Sequence, residues 1–355
     1  MAVNYLHLNE KKQSFEDIKA GDFVAKTPFE QSTLTFCRQW LNGQATFSLK
    51  TSGSTGEPKT IEVTRKQMQL SARQTVSYFN LTPEDTVLVC LNTAYIAGIM
   101  MLVRGFESGA KIIAVEPEGN PLNQIDNQVD FLAVVPLQLN KILSNPVSKS
   151  QLENCRATLV GGAPVSVALE KLIAQSSAAV YATFAMTETL THFALRQLNP
   201  NKEEYYTTLK DVSIGQDNRG CLTVESQVTL NKRLFTNDLV EIIAPGQFIW
   251  KGRIDNIINS GGVKVSIETL ESKIEQVLSQ LNLSYNFFIA GLPDSVLGEK
   301  VVLIVESSQR VPIIESIDYA QTLNQYEIPK SILYLPNFIY TPTGKINRPE
   351  TTELV

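Results

Sequence analysis

Hydrophobic and polar positions alternate with two different periods along the first half of the chain. Short apolar runs predict buried strands at residues 86–91, 112–115, 131–135, 158–160 and 179–181. Helical periodicity separates these runs, most clearly over residues 96–108, where the apolar segment stops at Gly109. Strands that alternate with helices predict a parallel α/β sheet, because crossover helices connect parallel neighbours.

Helix-start signals add two helices before this region. Thr27, Pro28 and Glu30 have the order of a cap, a first-turn proline and a third-position acid, and Gly43 stops that helix. Thr64 and Gln67 have capping-box spacing, which predicts a helix that runs to about residue 79. Residues 1–26 give no clear pattern.

The pattern changes after residue 196. Residues 210–225 and 227–249 read as hairpins, which predicts a smaller β region after the α/β part. A helix from Ser266, strands at 286–290, 300–306 and 331–335 and a helix near 314–324 then predict a compact α+β unit. We therefore predict an α/β protein with a large domain at residues 1–252 and a small, mobile α+β domain at residues 253–355.

Ligands of parallel α/β sheets bind beyond the carboxyl ends of the strands. Three candidate stretches follow predicted strands, at residues 92–98, 161–164 and 183–191. Within the third stretch, Glu188 is a carboxylate that could hold Mg²⁺ with phosphate oxygens, or simply an acid at a helix N-terminus. Further along, Asp238 could bind sugar hydroxyls or be an ordinary turn residue.

The stretch TSGSTGEPKT at residues 51–60 is the strongest candidate for binding an anion. Its glycines permit close backbone approach, successive N–H groups can form an anion-binding nest, and Lys59 adds a positive charge. The simpler alternative is a Gly/Ser surface loop. A P-loop of the NTPases is excluded, because the residue before Lys59 is Pro58, where that motif requires glycine.

Composition narrows the class of protein further. The 355 residues are 43% hydrophobic and carry a net charge of −5, without a basic run, so we expect no nucleic-acid partner. Four scattered cysteines and two histidines argue against a zinc site or a disulfide framework and fit a reducing cytoplasm. The sequence lacks an apolar run long enough for a membrane span.

Taken in order, these stretches resemble the motifs of the adenylate-forming superfamily, which contains acyl-CoA synthetases, adenylation domains and luciferases. The matching segments are TSGSTGEPK (51–59), GGA (161–163), FAMTE (184–188), TND (236–238), GRIDNIINSGGVKV (252–265) and TPTGKINR (341–348). The resemblance implies ATP, Mg²⁺ and CoA as cofactors or co-substrates and a carboxylic acid as substrate.

The resemblance also implies roles for individual residues. The phosphate-binding group is Thr51, Ser52, Gly53, Ser54, Thr55, Gly56 and Lys59. Thr187 would contact phosphate and Glu188 would bind Mg²⁺, while Asp238, with Arg253 beside it, would bind ribose. Lys345 would bridge the carboxylate and the α-phosphate, although a lone C-terminal lysine is usually solvated. The remaining implied roles are a hinge at Asp255 and a pantetheine approach at Gly261 and Gly262.

The chain departs from the family pattern at several positions. Phe184 and Ala185 replace a Tyr-Gly pair, Asn237 replaces a glycine, and Tyr95 stands where the family usually has histidine. The phosphate-loop motif begins at residue 51, which suggests a short form or a truncated chain.

Among family members, the chain most resembles o-succinylbenzoate–CoA ligases of menaquinone biosynthesis. That acid has a second carboxylate, for which Arg104 and Arg196 are candidates, either of which could instead be a solvated helix residue. The other substrate-binding candidates are Tyr95, Gly161, Gly162, Ala163, Phe184, Thr189 and Thr191. Two alternatives stay open, namely an adenylating enzyme that loads a carrier protein and a nucleotide-binding relative without ligase activity. The oligomeric state is open as well.

Overall fold

A computed structural model describes residues 4–50, 60–340 and 346–355 of the chain. Its strands are β1 (Tyr5–Leu8), β2 (Lys11–Ser14), β3 (Thr46–Lys50), β4 (Thr60–Thr64), β5 (Thr86–Val89), β6 (Lys111–Ala114), β7 (Phe131–Val134), β8 (Ala157–Val160), β9 (Val180–Ala185), β10 (His192–Asn199), β11 (Tyr206–Thr208), β12 (Val212–Gln216), β13 (Cys221–Ser226), β14 (Leu234–Ala244), β15 (Gln247–Arg253), β16 (Ile257–Ser260), β17 (Val263–Ser266), β18 (Phe287–Asp294), β19 (Gly298–Glu306) and β20 (Ser331–Leu335).

The helices of the described residues are α1 (Phe15–Ala20), α2 (Pro28–Leu41), α3 (Arg65–Phe79), α4 (Ile96–Ser108), α5 (Pro136–Leu143), α6 (Pro146–Glu153), α7 (Val167–Ala174), α8 (Ile267–Gln280), α9 (Pro312–Glu315) and α10 (Arg348–Thr352). Short 3-10 helices occupy Pro121–Gln124, Thr187–Thr189, Ile254–Asn256 and Tyr319–Gln321.

The large sheet contains thirteen of the described strands, in the order β12-β13-β14-β15-β11-β10-β9-β8-β7-β5-β6-β1-β2. The strands from β9 to β1 in that order pair in parallel, which confirms the predicted parallel α/β sheet. The β region that follows is antiparallel and continuous with this sheet, because β10 pairs with both β9 and β11. The sequence had predicted a smaller β region at this place, within the large domain.

Side chains of the parallel strands alternate between two helical layers. Val87 and Val89 of β5 belong to a core cluster with α2, α3 and α4, whereas Leu88 belongs to a second cluster with α5, α6 and α7. All three are 0% exposed. Burying each of them contributes about 1.5–3 kcal/mol, which fixes the strand positions at whose ends the candidate loops begin.

Residues 5–14 form a hairpin that the sequence pattern did not predict. Strand β1 pairs in parallel with β6, so it extends the main sheet by one position, and β2 pairs with β1 at the edge. A four-residue strand carries too few positions for periodicity to be recognised. Strand β4 is a second difference from the sequence prediction. A strand and a helix were expected to flank residues 51–59, but β4 follows these residues and pairs antiparallel with β3.

The predicted helix caps are confirmed. The hydroxyl of Thr27 accepts from the N–H of Glu30, and Thr64 and Gln67 form a capping box. Helix α4 ends at Gly109, whose φ of +70° suits glycine.

Residues from 257 onward build a second sheet in the order β17-β16-β19-β18, with β20 parallel to β19. Helix α8 buries Leu270, Ile274 and Leu278 against it, as its period predicted. The prediction of a helix near 314–324 is wrong, because the structure has only the short helix α9 and a 3-10 turn there. Helix α8, which packs on the second sheet, contacts α7, which packs on the large sheet. At this contact the N–H of Val167 donates to Glu275 Oε1 at 3.1 Å.

Among the helices that the structure describes, none combines the length and the apolar composition needed to cross a bilayer.

Candidate active site

Two of the predicted loops meet at the carboxyl end of the parallel sheet. Strands β8 and β9 are parallel neighbours, and they lead into Gly161 and into the Thr187–Thr189 turn. A Cβ on Gly161 would lie 2.2 Å from Thr183 Oγ1, so only glycine allows this close approach. The next residue, Gly162, has a φ of +84°. The chain therefore turns sharply beside the end of β9.

The turn after β9 places Thr187 and Glu188 at the surface. Both side chains are exposed, whereas Thr189 is buried and its hydroxyl donates to the carbonyls of Met186 and Thr191. Leu190 has φ +64° and ψ −53°, and the N–H of Thr191 donates to the carbonyl of Thr189. This is a strained γ-turn, of a kind that is concentrated at functional sites.

Glu188 lies in a 3-10 helix of three residues, Thr187–Thr189, and not at the start of an α-helix, so little helix dipole is available to favour an acid there. The 3-10 turn leads directly into β10. The described residues contain no group of three or more His, Cys, Asp or Glu side chains that could enclose a metal ion. One exposed carboxylate suits Mg²⁺, which commonly binds one or two carboxylates together with waters and substrate phosphates.

Residues 51–59 and Lys345 lie outside the described residues, so the placement of these predicted groups stays a prediction. The described chain does fix their neighbours. Strands β3 and β4 bracket residues 51–59, with Lys50 paired to Thr60, and a bridge between Tyr340 and Ile346 brackets Lys345.

Asp238 lies on β14, opposite Arg253 at the end of β15. Trp250 Nε1 donates to Asp238 Oδ1 at 3.0 Å, and among the described residues Oδ2 receives no hydrogen bond. Burial raises the pKa of Asp238, while the Trp250 hydrogen bond and the charge of Arg253 oppose the rise. A partly desolvated carboxylate with a spare oxygen is suited to accept hydroxyl hydrogen bonds from a ribose.

Arg253 forms a two-pronged ion pair with Asp255, with Nε–Oδ1 at 2.9 Å and Nη2–Oδ2 at 2.6 Å. Asn237 Nδ2 also donates to Asp255 Oδ2 at 3.3 Å, and Arg219 Nη1 donates to Asn237 Oδ1 at 3.1 Å. The Thr236–Asp238 part of β14, for which a turn was one interpretation of the sequence, is thus tied by polar and charged side chains to the segment that connects the two sheets.

Gly261 and Gly262 form the exposed turn between β16 and β17, with φ values of +60° and +81°. A Cβ on Gly261 would lie 3.3 Å from Leu297 and 3.5 Å from Tyr326, whereas one on Gly262 meets nothing within 4 Å among the described residues. Both positions need glycine for their backbone angles, and Gly262 also leaves open space beside it.

The guanidinium of Arg104 is 3% exposed and lies among neutral groups. Its Nη2 is 3.3 Å from Thr191 Oγ1 and 3.5 Å from His192 Nδ1, and Nη1 is 3.4 Å from Met101 Sδ. Among the described residues, its Nε has no hydrogen-bond partner and no carboxylate pairs with the guanidinium. Burial lowers the pKa of Arg104 to about 10, so it stays charged at neutral pH.

Arg196, the second candidate for a substrate carboxylate, is already engaged. Its Nη2 is 3.4 Å from Glu170 Oε1, and its guanidinium stacks over Tyr206 at 5.6 Å. Phe184 likewise packs into a cluster with Phe193 and Phe248 at ring distances of 5.6 and 5.2 Å. Charge therefore favours Arg104 over Arg196 as the group for an anion.

The comparisons with known proteins can now be set beside this geometry. The family model described as AMP-binding enzyme matches residues 38–216, which is half of the chain. The chain belongs to the AMP-binding enzyme family. Its fold matches the crystal structure of an acyl-CoA synthetase (AMP-forming)/AMP-acid ligase II-like protein from Dyadobacter fermentans, with 40% identity and a TM-score of 0.64, over 95% of this chain and 97% of that one.

Curated relatives are more distant. The long-chain-fatty-acid–CoA ligase FadD13 of Mycobacterium tuberculosis is 26% identical over 84% of this chain, which spans 65% of that protein's length. The 2-succinylbenzoate–CoA ligase of Listeria monocytogenes is 24% identical over 93% of this chain and 74% of its own. Membership in the adenylate-forming superfamily, which the motifs had indicated, is confirmed.

Sequence reasoning did not find the hydroxyl groups around Arg104 in this AMP-binding enzyme. Ser71 and Thr75 of α3 are 1% and 0% exposed, and they contact Thr191 and His192. The signal was present, since both fall on the buried face that Met68 and Phe79 define. Hydroxyls on an apolar helix face need partners, which indicates a buried polar network.

Proposed function

We propose that this chain is an AMP-forming acid–CoA ligase. In the first half-reaction a carboxylate oxygen attacks the α-phosphorus of ATP, and pyrophosphate leaves. In the second half-reaction the thiolate of CoA attacks the carbonyl carbon of the acyl-adenylate, and AMP leaves. The supporting observation is that Gly161 and the exposed Thr187–Glu188 turn follow the carboxyl ends of two neighbouring parallel strands, β8 and β9, in a member of the AMP-binding enzyme family.

ATP would lie across this edge of the sheet. Glu188 would hold Mg²⁺, which would offset the negative charge of the ATP phosphates when bound. Thr187 would donate to phosphate, and Asp238 Oδ2 would accept from the ribose hydroxyls. The glycine, serine and threonine residues of 51–56, with Lys59, would surround the pyrophosphate end.

Two anionic reactants must approach each other, so positive charge and donors at the reacting oxygens are needed. Lys345 would supply that charge between the carboxylate and the α-phosphate. Lys345 belongs to the C-terminal unit, and Asp255 lies between the two sheets. Rotation near Asp255 would withdraw Lys345 and bring the Gly261–Gly262 turn, with its open space, to the pantetheine.

We further propose o-succinylbenzoate as the acid, which would place the chain in menaquinone biosynthesis. The observation that carries this choice is the buried guanidinium of Arg104, which the described residues leave without a carboxylate. A buried cation is costly unless it is paired, and the second carboxylate of this acid would pair it. Thr189, Thr191, Tyr95 and Phe184 remain proposed contacts of the same acid, with Ala163 beside the loop.

A fatty acid is the competing substrate, because FadD13 is a long-chain-fatty-acid–CoA ligase and matches this chain with similar identity. A fatty acid has one carboxylate, which reacts, and it would leave Arg104 unpaired. The two acids therefore make opposite predictions for an Arg104 variant.

The test is a panel of acids, o-succinylbenzoate, benzoate and palmitate, each with ATP and Mg²⁺, with and without CoA. Pyrophosphate release selective for o-succinylbenzoate, and its CoA thioester by mass spectrometry, would support both parts of the proposal. Turnover of another acid would keep the ligase and exclude o-succinylbenzoate. Transfer only to a phosphopantetheinyl carrier would replace CoA as the acceptor, and no release with any acid would contradict the ligase.

A further inference from the structure

A buried polar cluster connects two helices to the start of β10. Its members are Ser71 and Thr75 of α3, Arg104 of α4, and Thr191 and His192. All five are at most 8% exposed. The proposed function gives a role to Arg104 and Thr191, but it gives none to His192, Ser71 or Thr75.

The direction of each hydrogen bond in this cluster follows from Arg104. A guanidinium can only donate, so His192 Nδ1, 3.5 Å from Nη2, must be the acceptor. The proton of the neutral ring then lies on Nε2, which donates to Thr75 Oγ1 at 3.1 Å. The hydroxyl of Thr75 in turn donates to the carbonyl of Ser71 at 3.4 Å. The chain of donors is consistent from end to end.

The same geometry excludes a charged His192. A protonated ring would have no lone pair for Arg104 and would bring a second buried cation within 3.5 Å of the first. Thr191 is the other neutral acceptor for Nη2, and its hydroxyl lies 2.7 Å from Ser71 Oγ. The groups that contact Nη2 of Arg104 carry no charge, and Nε, which shares the Nη2 edge of the guanidinium, has no partner among the described residues.

We infer that His192 is a positioning residue that holds the Arg104 guanidinium by accepting from Nη2, with Thr75 fixing its tautomer, so that Nε is presented to the remote carboxylate of the acid. The inference rests on the proposed function. A carboxylate in place of His192 would neutralise Arg104 within the protein, whereas a neutral acceptor orients it and leaves its charge for the substrate.

The first test is direct and independent of activity. In protein labelled with ¹⁵N-histidine, the two histidines give two sets of ring signals, and loss of one set in His192→Asn assigns His192. We expect the Nε2–H tautomer at pH 7 in the wild type. An Nδ1–H tautomer or an imidazolium would overturn the inference, because neither can accept from Arg104.

The second test separates positioning from structure by comparing acids. His192→Asn keeps an acceptor near the Nδ1 position, and His192→Leu removes it. We expect His192→Leu to raise KM for o-succinylbenzoate roughly 10- to 100-fold, the loss typical of a hydrogen bond to a charged group, with kcat little changed. Benzoate, which lacks the second carboxylate, should be turned over as by wild type, and His192→Asn should recover most of the affinity.

Control variants keep the outcomes distinct. Leu195→Val alters a buried apolar residue of β10 that makes no hydrogen bond to Arg104, and it reports general loosening of the strand. Thr75→Val is nearly isosteric and serves if His192→Leu does not fold, with a smaller rise in KM for the dicarboxylate alone. An equal rise in KM for both acids, or no recovery of the affinity for o-succinylbenzoate in His192→Asn, would overturn the inference while leaving the proposed ligase intact. If Arg104→Met retains the preference for the dicarboxylate, both the inference and the proposed acid fail.

Discussion

Asp238 combines a structural cost with a proposed role in binding ATP. Because burial raises its pKa, the ionised form is less favourable in the folded chain than in the unfolded one. Its contribution to stability is therefore greatest below the unfolded pKa and is lost as the pH rises through the folded pKa. A side chain that costs stability at neutral pH is typical of a binding site.

We predict that Asp238→Asn increases the free energy of unfolding at pH 7 and weakens ATP binding. The asparagine oxygen can still accept from Trp250, without a charge to desolvate. Affinity for ATP should fall roughly 10- to 100-fold, since a hydrogen bond to a charged group contributes about 1.5–3 kcal/mol. Urea unfolding and calorimetric titration measure the two effects. The stabilities should converge below pH 3.8, and a destabilised variant at pH 7 would contradict the account.

His192 has the opposite relation to pH. Burial, and then the charge of Arg104, lower its pKa well below 6.5, so the unfolded chain binds a proton that the folded chain does not. Stability due to this group is complete above pH 6.5 and is lost as the pH falls below it.

We predict that wild type loses stability between pH 6.5 and pH 5 by up to about 1.4 kcal/mol per pH unit more than His192→Asn does. Denaturant midpoints at four pH values would measure the difference, and His7 is common to both proteins. Parallel stability curves for the two proteins would show that His192 takes up a proton in the folded state, against the geometry described above.

At the scale of elements, the strained turn at Leu190 sets how Glu188 is presented. The Leu190 side chain is 5% exposed, so its packing in the core holds the backbone in a conformation that residues other than glycine avoid. We predict that Leu190→Gly is more stable than Leu190→Ala by about 1 kcal/mol, the reverse of the usual order, because glycine tolerates the positive φ. Thermal unfolding of both variants tests this, and an alanine variant at least as stable as the glycine variant would exclude strain at Leu190.

Elements were predictable where local signals agreed with tertiary structure. The caps of α2 and α3, the apolar periodicity of α8 and the end of β8 before Gly161 follow from residues near each other in sequence. The end of β9 does not, because the sequence placed it at residue 181 and the strand continues to Ala185. Strand β10 shows the limit. Residues 194–197 are Ala, Leu, Arg and Gln, which favour helix, yet pairing with β9 makes them a strand.

The candidate site was predictable to the same extent. Glu188, Asp238 and Arg253 are candidates because their residue types and order match known motifs, and their roles stay predictions. The choice of Arg104 over Arg196 needed the structure, because it depends on Glu170 lying beside Arg196. His192 was missed for the same reason, since its partners Thr75 and Arg104 are 117 and 88 residues away in the chain.

In the molecule as a whole, the proposed reaction is divided between two units that are joined near Asp255. We predict that Lys345→Ala slows adenylation by roughly 10²–10³-fold, as for the loss of one transition-state donor. Thioester formation from preformed acyl-adenylate and CoA should be nearly unaffected, because Lys345 would have left the site by then. Single-turnover assays of each half-reaction measure this, and equal losses in both would contradict a role confined to adenylation.

Attack of a carboxylate oxygen on the α-phosphorus of ATP is the step that defines the proposed ligase, and isotope transfer detects it. o-Succinylbenzoate labelled with ¹⁸O in its carboxylates would be turned over with ATP, Mg²⁺ and CoA, and the products analysed by mass spectrometry. The oxygen that bridges carbon and phosphorus stays with phosphorus when the thiolate attacks, so we predict AMP with one ¹⁸O per thioester formed. Unlabelled AMP, or ADP with labelled phosphate, would contradict this step.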